Sequence, residues 1–320
     1  MNSSITSLVI VPLLSSAAFV MLAPAIARRM PPRLATWALS VGAGALAVAT
    51  VAFPMLVLAT VVGQWQPVAS MGHWSARFLH AGQPGGWLTS AGAVAVLATQ
   101  AALVWWRARR QGRLLLSAWR CARSARVSLV IVPDSRPAVF ALPGWPGRIV
   151  ATPPLLKSLT PAQRRVILAH EQAHLDARHD LHRILVDLAA GLNPLLWRLR
   201  GAIHLASERW ADEAAAVVTG DRRLVAQTIG RVVEASGANA GDSGATAVFV
   251  MGGTGSDTLR RVEALLRPPM LRRVTASLIL AAAVSALVPM VAAVRAAAST
   301  NDLFQQAELA YHIPVAPARD

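Results

Sequence analysis

TPAQRRVILAHEQAHLD, residues 160–176, is the stretch on which the reading of this chain turns. It begins as helices begin. Thr160 stands at the N-cap and Pro161 at the first helical position, and Gln163 completes a capping box in which two side chains satisfy the free backbone N–H groups. Val166, Ile167, Leu168, Ala169 and Ala173 supply an apolar surface to bury. His170 and His174 are four residues apart and so share one helical face. Two imidazoles so placed can hold one zinc ion. Glu171, next to the first, puts a carboxylate where it can take a proton from water.

Two histidines leave the ion short of a ligand. An extended motif would use Asp180, but Ala177 stands where a helix-breaking glycine would be needed. The helix is therefore expected to run on, with His179 and His182 along it as solvated or membrane-interface residues. Glu208 is the better third ligand. It lies in HLASERWADEAAA (204–216), where Glu208 and Asp212 face the same way on a helix. Asp212 would accept a hydrogen bond from the far nitrogen of a ligand histidine. The plainer alternative pairs both carboxylates with Arg200, Arg209 or Arg222 on a solvated face. Acidic residues are scarce elsewhere: none precedes Asp134, and eight of the sixteen lie between Glu171 and Asp221, a concentration that metal ligation or acid–base chemistry explains. His204, one turn before Glu208, is a candidate catalytic donor; the only tyrosine, Tyr311, falls in the external tail.

Outward from this core the composition changes the class of protein. Hydrophobic residues make up 54% and charged residues 15%, which excludes a purely soluble chain. Four segments reach the roughly 20 residues a membrane helix needs and are apolar enough to cross: about 5–27, within 34–62, 87–106 and 274–294. Arg28, Arg29 and Arg33 separate the first two. Arg107, Arg109, Arg110, Arg113, Arg120, Arg123 and Arg126 follow the third, and Arg267, Arg272 and Arg273 precede the fourth. The N-terminus is uncharged and the 63–86 loop carries only Arg77. Lys and Arg collect on the cytoplasmic side, so both termini are expected outside the cell membrane and 107–273 inside.

The expected fold is mostly α: a polytopic membrane protein with four transmembrane helices and a cytoplasmic α+β zinc domain between the third and fourth. Residues 1–106 form three spans, 107–273 the catalytic domain, 274–294 the last span and 295–320 a short external tail. Within the domain, 127–132 and 148–152 read as strands with 143–147 as turn. The run 188–197, broken by Gly191 and Pro194, is too short to span and packs against or dips into the membrane. Residues 236–257 are rich in Gly, Ala and Ser and read as a surface loop. The net charge of +15 belongs to the membrane-flanking arginines; no nucleic-acid recognition motif accompanies it, so the lipid bilayer is an expected partner and nucleic acid is not. Cys121 alone permits neither an intramolecular disulfide nor a cysteine metal site. The opening MNSSITS has no basic region and does not read as a cleaved signal peptide.

HEQAH followed by ERWAD resembles the His-Glu-x-x-His plus Glu-x-x-x-Asp signature of the gluzincins. Two related groups carry it: the CAAX prenyl-proteases with the HtpX-like heat-shock proteases, and the BlaR/MecR-type antirepressor membrane metallopeptidases. The run DLHRILVDLAAGLNPLLW (180–197) is similar to the second group, as are FALPG, GRIVATPPLL and RVEALLRPP. The resemblance implies one Zn2+ per chain held by His170, His174 and Glu208, with Glu171 as general base. It further implies hydrolysis of a cytoplasmic BlaI/MecI-like repressor as protein substrate. Only 295–320 follow the last span, so the external penicillin-binding domain of the beta-lactam receptors is not expected.

Overall fold

The structure is a computed structural model describing residues 2–81, 86–123, 128–144, 146–237, 255–267 and 272–312. The surface loop expected at 236–257 lies mostly outside the described residues. In chain order the elements are α1 (Asn2–Arg29), α2 (Pro32–Gly63), the short α3 (Gln66–Gly72) and α4 (Ala76–Ala81), and α5 (Gly86–Arg123). Three strands follow, β1 (Leu129–Ile131), β2 (Val139–Leu142) and β3 (Arg148–Ala151), then α6 (Pro153–Ser158) and α7 (Pro161–Asp176). The chain continues with α8 (His179–Leu192), a 3-10 turn (Pro194–Arg198), α9 (Leu199–Thr219), α10 (Arg222–Gly237), α11 (Gly255–Leu266) and α12 (Arg272–Tyr311).

Four of these helices are long and apolar enough to cross a membrane: Val9–Arg29, Pro32–Gly63, Leu88–Ser117 and Thr275–Tyr311. Two outrun the sequence expectation. α5 continues past Trp106 through the arginine-rich stretch to Arg123. α12 continues to Tyr311, because nothing after Pro289 breaks an alanine-rich helix. The end expected as a tail packs beside α4, where Ser75 N–H donates to Ala307 O at 2.8 Å and Trp74 meets Phe304 edge-on.

α8, the 3-10 turn and α9 form a hairpin inserted among the spans. α8 descends beside α2 from His182 at Ser40 to Asn193 at Thr50, about 15 Å at 1.5 Å per residue. Close approach to α5 requires Gly191, since a Cβ there would meet Val104 Cγ2 at 2.9 Å. At the bottom, Asn193 donates to Ser16 Oγ (2.8 Å) and Thr50 Oγ1 (3.0 Å) and accepts from Leu195 N–H, which leaves its buried amide satisfied. α9 climbs back until Arg209 bonds the carbonyls of Ala27 and Met30, at the arginine-bearing end of α1. One apolar core runs through this unit, from Phe19 and Ile26 through Leu39 and Leu46 to Val186, Leu199 and Ile203.

The small sheet sits over α7. Its order is β1-β3-β2, with β1 parallel and β2 antiparallel to β3. Val139, Ile149 and Ala151 bury against Leu155, Leu159 and Ile167, and Val166 packs toward Ala215, Val225 and Ile229. The motif helix is thus held on two sides by apolar contact, and its third side is left for chemistry. β2 was not expected as a strand, and it forms one edge of the sheet.

Candidate active site

α7 begins on the expected capping box: Thr160 Oγ1 accepts from Gln163 N–H, and Gln163 Oε1 from Thr160 N–H. Two turns on, its histidines meet α9. The two Nε2 atoms of His170 and His174 are 3.2 Å apart. Glu208 Oε1 lies 3.4 Å from His174 Nε2, and Oε2 lies 3.5 Å from His170 Nε2. A tetrahedral zinc ion with ligands at 2.0–2.1 Å separates them by roughly 3.3 Å. The three side chains fit one such ion, and a donor set of two imidazoles and a carboxylate suits zinc.

The second nitrogens are held as ligands require. His170 Nδ1 is 3.0 Å from Asp212 Oδ1, and His174 Nδ1 is 2.8 Å from Nδ1 of His179. Each leaves Nε2 free to bind. Residues 108–268, just over half the chain and all of this cluster, match the family described as Peptidase family M48. The chain belongs to that family. No curated protein and no solved structure matches it. Family M48 peptidases are metal-dependent, typically on zinc, and the His-His-Glu cluster is where this member can hold a metal.

The charges around the metallopeptidase cluster are as ordered as its distances. Burial alone would lower His170, but the carboxylates of Asp212 and Glu208 reverse this and raise it to about 9. Burial takes His174 the other way, well below the ordinary range. One proton, resting on His170, therefore serves the pair when no metal is bound. Burial would also raise Glu208 and Asp212; the Arg261 guanidinium and the neighbouring cluster histidines, with Arg183 beside Glu208, together outweigh it and keep both ionised. Glu171 is 4% exposed, and burial raises its carboxyl, partly offset by His170 and by the backbone N–H of Ala141 on β2.

Several expectations need correction. The helix does not run on through His179. It ends at Asp176, and Arg178 takes the left-handed conformation (φ 50°) without a glycine. That turn brings in His179, not Asp180, which instead lines a cavity outside the cluster. His179 and His182 are buried, at 1% and 8% exposure, rather than solvated. His179 is held neutral by burial, down to about 3, and packs on Trp210. His182 bonds Ser40 Oγ at 2.9 Å and meets Trp37 edge-on. The solvated alternative for Glu208 and Asp212 fails as well: Arg200 pairs with Asp187, Arg222 with Glu213, and Arg209 with backbone.

Two arginines that sequence reasoning did not single out hold those carboxylates. Arg261 of α11, 1% exposed, donates from Nε (2.8 Å) and Nη2 (2.7 Å) to Asp212, and its Nη1 is 3.0 Å from Glu208 Oε2. Arg183 of α8 donates from Nη2 to Glu208 Oε1 at 2.8 Å. His204 is near but not joined: its Nδ1 is 3.9 Å from Glu208 Oε1, and burial lowers it to about 4, so the ring is neutral.

Proposed function

We propose that this metallopeptidase is a membrane-bound zinc endopeptidase that cuts a cytoplasmic regulatory protein, of the class represented by BlaI/MecI-like repressors. The observation that carries the peptidase part is the meeting of Glu171 with an open strand edge. Thr152 N–H donates to Ala138 O, so by alternation the amides of Val139 and Ala141 turn away from β3. Ala141 N–H reaches Glu171. A substrate added to β2 in extended form is therefore laid across the buried carboxylate. Beyond that strand, a cavity of about 540 Å³ bordered by Gly144, Gly147, Gln172 and Leu175 can receive a substrate side chain.

His170, His174 and Glu208 would hold the ion, with Asp212 orienting His170. When bound, zinc supplies the charge that polarises the scissile carbonyl and acidifies water. Glu171 takes a proton from the attacking water and returns it to the leaving amine nitrogen. Burial raises its pKa, which makes the carboxylate a stronger base than it would be in water. His204 can donate a hydrogen bond to the reacting carbonyl but offers no positive charge.

The antirepressor substrate rests on resemblance: the NPLLW run at 193–197, the three-plus-one arrangement of spans, and the positive-inside assignment that puts 107–273 in the cytoplasm. A second reading, an HtpX-like protease for damaged membrane proteins, is favoured by one observation. Glu208-bearing α9 is rooted between the candidate spans and reaches the arginine-bearing end of α1, which supports a site at the membrane surface. A non-catalytic zinc-stabilised sensor has no use for a buried carboxylate at Glu171.

Full-length wild type and Glu171→Gln, purified in detergent, test the peptidase reading. Both are expected to hold one zinc ion, and only wild type is expected to cut casein or itself. Cleavage that survives Glu171→Gln sinks it. Adding a candidate repressor or an unfolded membrane protein then separates the two substrates.

A further inference from the structure

Glu208 is shared by two arginines that are not equivalent. Arg261 is enclosed, and all three of its nitrogens are engaged by Asp212 and Glu208. Arg183 keeps 37% of its side chain exposed. Its Nε and Nη2 bond Ser207 Oγ at 3.2 and 2.9 Å, and Nη2 also bonds Glu208 Oε1. Those bonds use one edge of the guanidinium. Nη1 has no partner among the described residues and is not sealed from solvent. The turn at Arg178 is what places it there: a helix running straight on from His174 would carry residue 183 away from α9. Its charge acts on Glu171, His174 and His204 alike, so it stands amid the catalytic groups.

On the peptidase reading above, we propose that Arg183 is a catalytic residue whose free Nη1 donates to the carbonyl oxygen of the scissile peptide and holds its negative charge as water adds. A cation fixed in place before reaction is worth most where charge develops. Arginine is suited to it, because it stays charged and its fork can rest on Ser207 and Glu208 while still donating. The water oxygen bonds to the carbonyl carbon, Glu171 takes the proton, and the carbonyl oxygen becomes the anion facing Arg183. As the C–N bond breaks, that oxygen's electron pair re-forms the carbonyl and the proton on Glu171 passes to the amine. Arg183 keeps its protons throughout.

The competing role is positioning, in which Arg183 only steadies Glu208. Arg183→Gln, Arg183→Lys and His204→Ala are compared with wild type in the full-length, zinc-loaded protein. Bound zinc, kcat and KM on fluorescent casein, and calorimetric affinity for a phosphinic peptide, a tetrahedral anion, are measured. For Arg183→Gln one bound zinc, KM within a few-fold, and kcat lower by about 100- to 1,000-fold are expected, with phosphinate affinity falling in step. Arg183→Lys restores part of both. Loss of zinc in Arg183→Gln, with activity recovered in excess zinc, overturns the proposal in favour of positioning. Unchanged kcat and phosphinate affinity, or a loss seen in His204→Ala alone, overturns it too. Wild type without Glu171-dependent cleavage removes the peptidase reading itself; cleavage that depends on Glu171 but not on Arg183 removes only this inference.

Discussion

α7 and α8 each carry two histidines, and the two pairs do different work. On α7 the spacing of four aims both Nε2 atoms at one point, with Glu208 opposite and Asp212 behind His170. On α8 the spacing is three, and the rings diverge. His179 turns back to bond His174, and His182 turns toward the spans to bond Ser40. What an imidazole does is set by what meets its other nitrogen. A carboxylate there makes His170 the more basic ring; a hydroxyl or a second imidazole makes the α8 rings struts. The α8 histidines thus tie the metal cluster to the bundle without joining it.

Removing the carboxylate behind the α7 pair should have the largest effect. Asp212→Ala is expected to weaken zinc affinity by 10- to 100-fold, roughly the cost of a lost outer hydrogen bond to a metal ligand. It also leaves Arg261, which is 1% exposed, with Glu208 as its remaining carboxylate, a loss bounded by the about 3–5 kcal/mol of a buried charge left wholly unpaired. Competition with a fluorescent chelator measures the first effect and thermal unfolding in detergent the second. If zinc affinity instead falls equally in Asp212→Ala and His182→Ala, the contrast between the helices is broken.

The parts of this arrangement that were legible in the sequence are those governed by spacing along one helix. The capping box, the His170–His174 face and the Glu208–Asp212 face follow from helical periodicity, and scarce carboxylates drew attention to the right window. What escaped depends on tertiary placement. Arg178 adopts a left-handed turn with neither glycine nor asparagine to signal it, and that single residue reverses which side of α8 meets the cluster. Arg183 and Arg261 could not be distinguished from the many other arginines, because a long side chain's partner is set by packing. β2 is four residues long and stops before Pro143, too short for an alternating pattern to stand out.

A smaller effect separates the α7 pair by pH. Metal-free His170 is raised to about 9, so at neutral pH zinc must displace its proton. Apparent zinc affinity is expected to rise by about tenfold per pH unit below 9 from this group and to level off above it. The stability sign is opposite. A histidine raised by folding stabilises the metal-free protein below its unfolded pKa of about 6.5, and that contribution is lost as pH rises through 9. Acid should therefore strip zinc without this group unfolding the chain. Proton release on zinc addition at pH 7.5 and 9.5, measured in two buffers by calorimetry, shows it: close to one proton from His170 at the lower pH and much less at the higher. Equal release at both would place the proton elsewhere.

The smallest expected effect is on α8. Ser40→Ala removes the hydroxyl that His182 bonds, in a setting where such bonds contribute about 0.6 kcal/mol. If the α8 histidines are only struts, zinc content stays at one ion, unfolding shifts slightly, and cleavage stays within about threefold, the rate factor that 0.6 kcal/mol corresponds to. A tenfold change in cleavage with zinc intact would mean something different. It would show that the position of α2 is felt at the site through His182, His179 and His174, so that the strut also transmits. The bond is well placed to decide this, because Ser40 lies on a candidate span while His182 stands three residues from His179, which touches His174.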